Sequence, residues 1–286
     1  MKKRKFPLIE NYFDTIDTEI KAYFLGLLWA DGCNYKKNNS ISIALQEEDS
    51  YILEKIKNDI FIINKPLRLK KAQTFKSKNQ FVLSIYGKYI SDLLENYGMI
   101  PKKSLILKFP RKGVLNEELI HHFIRGYFDG DGCISSTKKE KQITCTFVGT
   151  FEFLTSVKNI LINVGFSDVK LISVNDKDKN TFVLSFTGRK NALRLYQYMY
   201  KNANFYLIRK YEKFKNVKTD EQALKSYKEK VCKPIIAFNT DWSIYKEYDS
   251  IIDAYKDLNV KGKNGSISKV FSGKQNKAFG LFWKYK

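Results

Sequence analysis

The segment IRGYFDGDGC, residues 124–133, carries an apolar run onto Asp131 and breaks at once into Gly132. One hundred residues earlier the chain writes FLGLLWADGC, residues 24–33, with Asp31 and Gly32 in the matching places. A single Asp-Gly pair marks no more than a turn. Here the pair recurs in the same helical context. Gly26 and Ala30 in the first copy, and Gly126 and Gly130 in the second, stand four residues apart on one helix face, a spacing that lets two helix backbones approach closely. Helices packed about an internal two-fold axis bring Asp31 and Asp131 together at their C-terminal ends. The helix dipole is negative there and disfavours a carboxylate. Two such acids side by side need a cation.

The duplication extends beyond these motifs. FVLSIYG (81–87) matches FVLSFTG (182–188) at nearly the same offset. SISIALQEEDSYILEKIKNDI (40–60) and QITCTFVGTFEFLTSVKNIL (142–161) each alternate like a strand and then run into an amphipathic helix. This constant register predicts two copies of one α+β unit, residues 1–112 and 113–215. Each copy reads as a helix (20–31; 117–131), strands (33–46; 133–148), a helix (49–60; 151–163), strands near 67–86 and 169–187, and closing helices. Residues 216–233 read as a polar helical linker, and residues 234–286 as a small module of different character. The module starts strand-like around an Asn-Thr-Asp turn. Ser250 is placed to cap a helix over IIDAYKDL, and SISKVFSG supplies a second short helix, a helix-turn-helix-like arrangement suited to duplex DNA. From Leu258 to Lys286 inclusive there are seven lysines and no acid.

Composition narrows the partners. Fifty-one Lys and Arg against 30 Asp and Glu leave a formal charge of +21, which favours a polyanion through counterion release. The lysine-decorated strands put Arg68, Lys70, Lys71, Lys76, Lys138, Lys139, Lys141 and Lys170 forward as contacts to DNA. No apolar run reaches the roughly eighteen residues of a membrane span, and no apolar stretch follows the basic start MKKRK. The expectation is an intracellular protein, cytoplasmic or organellar, neither secreted nor membrane-bound. Four cysteines without C-x-x-C spacing, and two adjacent histidines, leave no zinc cluster to build. The thiols are expected to be reduced, and His121 and His122 are expected at the surface or on phosphate.

Residues 24–32 and 124–132 resemble the repeated motif of the LAGLIDADG homing endonucleases. The second copy is closer, since Trp29 stands where the pattern usually has an acid. The resemblance also takes in KKSLILKFP, residues 102–110. It implies two pseudo-symmetric αββαββα repeats forming a DNA-binding saddle. The implied activity is a double-strand break across the minor groove that leaves short 3′ overhangs. By the same resemblance Asp31 and Asp131 hold Mg²⁺ or Mn²⁺, helped by the carbonyls of Ala30 and Gly130. Lys103 and Lys210 supply positive charge to the transition state, and Gln46 positions water. The C-terminal stretch resembles the NUMOD-type modules appended to such enzymes, with Ser266, Ser268, Lys269, Lys274 and Lys277 as contacts to DNA. The function that follows is a monomeric, site-specific, metal-dependent DNA endonuclease promoting intron mobility. The Met start suggests an intron or independent gene rather than an intein insert. The alternatives are an RNA maturase, with intron RNA as partner, and a non-cutting DNA-binding regulator, against which two intact acids speak.

Overall fold

The computed structural model describes residues 5–75, 77–101, 103–136, 143–174, 180–214, 233–260 and 265–286. Its contacts divide the chain into residues 1–217 and 218–286. The stretch expected as a linker lies almost wholly outside the described residues, as does Cys232.

Helix α1, Glu19–Asp31, begins where the Thr18 side chain accepts the Lys21 N–H, and it ends where Gly32 turns extended. Every residue from Ala22 to Trp29 is buried, as befits a helix enclosed on all sides. Its counterpart α4, Ile120–Asp131, buries Phe123 to Asp129. The sequence suggested a start at residue 117, but residues Glu117–Leu119 form a separate 3₁₀ turn. The two helices touch backbone to backbone. A Cβ on Gly26 would lie 2.0 Å from the Phe123 carbonyl oxygen, and a Cβ on Gly126 would lie 2.0 Å from the Tyr23 carbonyl oxygen. The contact is reciprocal, as an internal two-fold axis requires.

Each motif helix feeds a four-stranded antiparallel sheet of the same order. The first contains β1 (Cys33–Tyr35), β2 (Ser40–Gln46), β3 (Arg68–Lys70) and β4 (Gln80–Tyr86), ordered β1-β2-β4-β3. The second contains β5 (Gly132–Ser136), β6 (Ile143–Gly149), β7 (Lys170–Ser173) and β8 (Phe182–Thr187), ordered β5-β6-β8-β7. The registers correspond: Cys33 opposes Ser42 and Ser42 opposes Ser84, as Cys133 opposes Thr146 and Thr146 opposes Ser185. Alternation decides the faces. Ile41, Ile43, Leu45, Leu83 and Ile85 point into the core of the first sheet, and Ile143, Cys145, Phe147, Leu184 and Phe186 into that of the second. Helices α2 (Ser50–Ile60) and α3 (Lys88–Tyr97) belong to the first copy. Helices α5 (Phe151–Asn163), α6 (Arg189–Met199) and α7 (Ile208–Lys213) belong to the second. Helix α5 is capped by Thr150, whose hydroxyl also donates to the Leu107 carbonyl.

The C-terminal unit has its own core of Ile235, Ala237, Tyr248, Ala254, Ile267, Ala278, Leu281 and Trp283. Strands β9 (Ile235–Phe238), β10 (Ile244–Tyr248) and β11 (Phe282–Tyr285) pair antiparallel in the order β10-β9-β11. Ser250 caps α8, Ile251–Asp257, as its position suggested, and α9 spans Ser266–Phe271. Strand β11 was not legible beforehand: four residues are too few for a periodicity, and they follow a glycine-broken loop. The indole N–H of Trp283 donates to the Ala278 carbonyl at 3.0 Å and fixes this strand to the loop before it.

The helix crossing makes a direct prediction. Gly26→Ala forces backbone apart and should cost about 3 kcal/mol or more, lowering the melting midpoint of the duplicated unit by roughly 6–12 °C. Gly265→Ala, which meets open space, should leave stability within about 0.5 kcal/mol. Differential scanning calorimetry of the two variants distinguishes them.

Candidate active site

Because the crossing point lies at Gly26 and Gly126, the last turns of α1 and α4 run on side by side. A Cβ on Gly130 would lie 2.3 Å from the Ala30 Cβ and 2.9 Å from Asp31 Oδ2. The Asp31 carboxylate therefore rests against the backbone that carries Asp131. Burial, followed by the charge of Asp31, pushes the Asp131 carboxyl up to about 6, against the opposing pull of Lys103 and Lys210. Asp31 is also raised, chiefly by burial, while Lys103, Lys210 and Arg209 draw it down. By surface area Asp31 is exposed and Asp131 partly so. The two observations fit a cleft: protein crowds the carboxylates from behind and solvent reaches them from one side.

Each motif helix has a buried lysine at its C-terminal end. Lys103, in a 3₁₀ turn Lys103–Leu105, donates to the Ala30 carbonyl at 2.7 Å. Lys210, in α7, donates to the carbonyls of Phe128, Gly130 and Gly132 at 2.6, 3.2 and 2.6 Å. The Gly130 carbonyl is one that the end of α4 leaves open, the Phe128 carbonyl also accepts the Gly132 N–H, and Gly132 opens β5, so Lys210 ties the last turn of α4 to the strand that follows it. Burial, as the largest cause, lowers Lys210 to about 8 and also lowers Lys103. The carbonyls of Ala30 and Gly130, expected to help hold a metal, each accept a lysine ammonium here, and a carbonyl oxygen keeps a second lone pair.

Trp29 and Asp129 occupy matching positions, and both tie a motif helix to the segment that carries its lysine. The Trp29 indole N–H donates to the Lys108 carbonyl at 3.0 Å. Asp129, fully buried, accepts from Tyr23 Oη at 2.8 Å, Tyr200 Oη at 2.6 Å and the Leu207 N–H at 2.7 Å. The acid that is missing from the first motif is thus replaced by another anchoring group.

Other contributors escaped the sequence reading. Arg125, buried in α4, donates to Glu19 at 2.6 Å, to the Phe205 carbonyl at 2.8 Å and to the Met199 carbonyl at 2.7 Å. Glu19 in turn accepts the backbone N–H groups of Asn204 and Phe205. This network joins the start of α1 and the middle of α4 to the segment leading to Lys210. Asp49 is buried and pairs with Arg209 at 2.8 Å, beside Lys210. Partners about 80 to 185 residues away leave no local signal.

Gln46 ends β2 opposite Gln80 and shares a groove with Lys70 and Lys71. Arg68, Lys70, Lys71 and Lys170 are exposed, whereas Lys76, Lys138, Lys139 and Lys141 lie outside the described residues. In the C-terminal unit Ser268, Lys269, Lys274 and Lys277 are exposed and Ser266 half-buried. His121 and His122, expected at the surface or on phosphate, are half-buried. Their ring centroids lie 3.8 Å apart at a 39° tilt, and His122 Nδ1 lies 2.7 Å from Arg125 Nη1. Burial lowers His122 to about 4, so the ring is neutral.

Among the described residues, no three His, Cys, Asp or Glu side chains gather into a metal cluster, and no helix is long and apolar enough to cross a membrane. The donors that do converge are two carboxylates, hard oxygen ligands of the kind Mg²⁺ takes in small number alongside water and phosphate. The residues present fit such an ion.

Residues 118–200 match the LAGLIDADG-like domain. They run from the 3₁₀ turn before α4 to just past α6, and so include Asp129 and Asp131. The chain is also 28% identical over 172 residues to the DNA-directed RNA polymerase subunit Rpo1C of Methanocaldococcus jannaschii, a match covering 59% of this chain and 18% of that protein. Similar solved structures include the LAGLIDADG homing endonuclease I-LtrWI bound to target DNA, with a TM-score of 0.45 and 13% identity over 73% of this chain and 91% of that one. Another is I-GzeII in complex with its DNA target, with a TM-score of 0.46 and 14% identity over 73% and 92% of the two chains.

Two measurements probe this site without any substrate. The Asp131 carboxyl ionises near 4 in the unfolded chain and at about 6 in the folded one, so the folded state holds the extra proton in between. Without metal, stability should fall as pH rises from about 4 to about 6 and then level off, a loss of roughly 3 kcal/mol. Asp131→Asn should flatten that slope, and Mg²⁺ at pH 7.5 should raise the melting midpoint of the parent protein but not of Asp31→Asn/Asp131→Asn. Separately, urea unfolding should find Lys210→Met destabilised by roughly 3 kcal/mol or more and Lys103→Met by about 1–2 kcal/mol, in line with three bonds lost against one.

Proposed function

We propose that this chain is a site-specific, divalent-metal-dependent endonuclease that cuts both strands of a long DNA duplex. One observation carries the reading: two carboxylates meet at the ends of two pseudo-symmetric helices, each helix end held by its own buried lysine. A duplex presents two antiparallel backbones related by a local two-fold axis, and a paired site of this kind is what cutting both requires. The LAGLIDADG-like domain at residues 118–200 supports the same chemistry.

Asp31 and Asp131 are the ligands for the cation. Bound there, a divalent ion would neutralise charge on the scissile oxygens and acidify an attacking water. Lys103 gives one proton to the Ala30 carbonyl and, with two more on the ammonium, meets the negative charge that develops on phosphate. Lys210 first offsets the negative end of α4, which lets Asp131 remain beside Asp31. The outward sheet faces take the two halves of the site, and a surplus of +21 supplies sequence-independent attraction to the backbone. The lysines and hydroxyls of α9 and the loop after it add contacts to DNA in the C-terminal unit. Both half-sites belong to one chain, so the enzyme acts as a monomer, and its biological role is mobility of the intron that encodes it.

The test is cleavage of a duplex selected from a random library by the chain itself. With Mg²⁺ the parent protein should linearise a plasmid carrying that site, and EDTA should leave the plasmid intact. Asp31→Asn or Asp131→Asn should lower the rate at least roughly a thousandfold with little change in binding by gel shift. Undiminished cutting by both variants would remove the two aspartates from the chemistry.

A further inference from the structure

The two sheets present different chemistry at positions of the same register. In the row after Cys33–Ser42–Ser84, the first sheet carries Ala44, Val82 and Arg68, and the next row carries Gln46, Gln80 and Lys70. In the row after Cys133–Thr146–Ser185, the second sheet carries Val148, Val183 and Ile172. One step further on the edge strand, where the first sheet has Lys70, the second has Val174, whose N–H pairs with the Thr181 carbonyl. A cationic and amide-rich edge in one copy is thus a β-branched apolar edge in the other.

Apart from Val82, which is buried, these side chains reach solvent on the face away from the core. Their strand neighbours Phe147 and Leu184 fill the inward face, whereas Ile172 is 55% exposed, Val174 52% and Val148 39%. Arg68 and Lys70 are exposed on the first sheet as well. In the major groove, Arg and Lys donate to guanine and Gln pairs with adenine, whereas an apolar side chain finds a matching surface only in the 5-methyl group of thymine.

We infer that the second repeat reads thymine methyl groups in its half of the DNA site, while the first repeat reads purine hydrogen-bonding edges through Arg68, Gln46 and Gln80. This rests on the proposal that the sheets grip duplex DNA. Lys170, exposed one row away opposite Ser185, gives the apolar row a cation for the adjoining phosphate. The target is then asymmetric in chemistry as well as in sequence: one half is rich in thymine at the contacted positions, and the other is mixed.

The experiment uses the full chain as Asp31→Asn/Asp131→Asn, which leaves the sheets untouched, to select duplexes from a random library. In the enriched site, thymines of one half are replaced by deoxyuridine, which removes only the methyl group. Affinity should fall roughly fourfold per contacted thymine in one half and stay unchanged in the other. The variant Ile172→Ser/Val183→Ser, which leaves no methyl on either side chain, should lose that sensitivity. Arg68→Ala should relax guanine preference only in the opposite half. Equal sensitivity in both halves, indifference in both, or oligomers that break up on Ile172→Ser/Val183→Ser would overturn the inference alone. Failure to enrich any duplex above competitor DNA would sink the DNA reading itself, and this inference with it.

Discussion

The reciprocal approach of Gly26 to the Phe123 carbonyl and of Gly126 to the Tyr23 carbonyl governs the large unit. With any side chain at those positions the helices would stand further apart, and their last turns would diverge. With glycine they stay in contact for another turn, and Ala30 and Gly130 continue the contact toward the two aspartates. The sheets inherit their relation from the same crossing, because each motif helix passes into the first strand of its sheet within two residues. A few missing carbon atoms near the centre thus determine where the carboxylates meet.

That meeting is electrostatically unfavourable in three ways at once. Two helix C-termini converge, each adds an acid, and protein crowds both acids on one side. The structure offsets this with cations as well as with solvent. Buried Lys103 bonds the Ala30 carbonyl and buried Lys210 the Gly130 carbonyl, both left open by the helix ends, and Arg209, exposed and paired with Asp49, adds a third positive group nearby. The residual imbalance shows in Asp131, held at about 6. On the proposed function, a divalent cation would remove a strain that the protein only partly relieves.

Much of this was legible in the residues. The apolar helix ending on Asp-Gly, the small residues four apart, and alternating strands at a constant offset specify the duplicated unit, because each is a local pattern with its own period. The pairing of Asp31 with Asp131 follows from them. What stayed hidden depends on long-range contacts. Arg125 looks like an ordinary helix residue until Glu19 and the 199–205 segment close around it. Asp49 looks like an ordinary acid at a helix start until Arg209 arrives. Trp29 reads as a lapse in the motif, yet its indole anchors the Lys108 carbonyl where Asp129 anchors the Leu207 amide in the other copy. The short strand β11 and the half-buried contact of His121 with His122 were missed for the same reason, that neither has a sequence period.

The same glycine contact bears on how the repeats can diverge. What each helix meets at the crossing is main chain, common to every amino acid, so the fit consults almost no side-chain identity beyond four small residues. The copies could therefore drift apart nearly everywhere else while keeping their shared axis. Covalent linkage removes the demand, present in a homodimer, that one surface serve both halves. An indole can replace a carboxylate as an anchor, and an apolar edge can replace a cationic one, without either lobe losing its place.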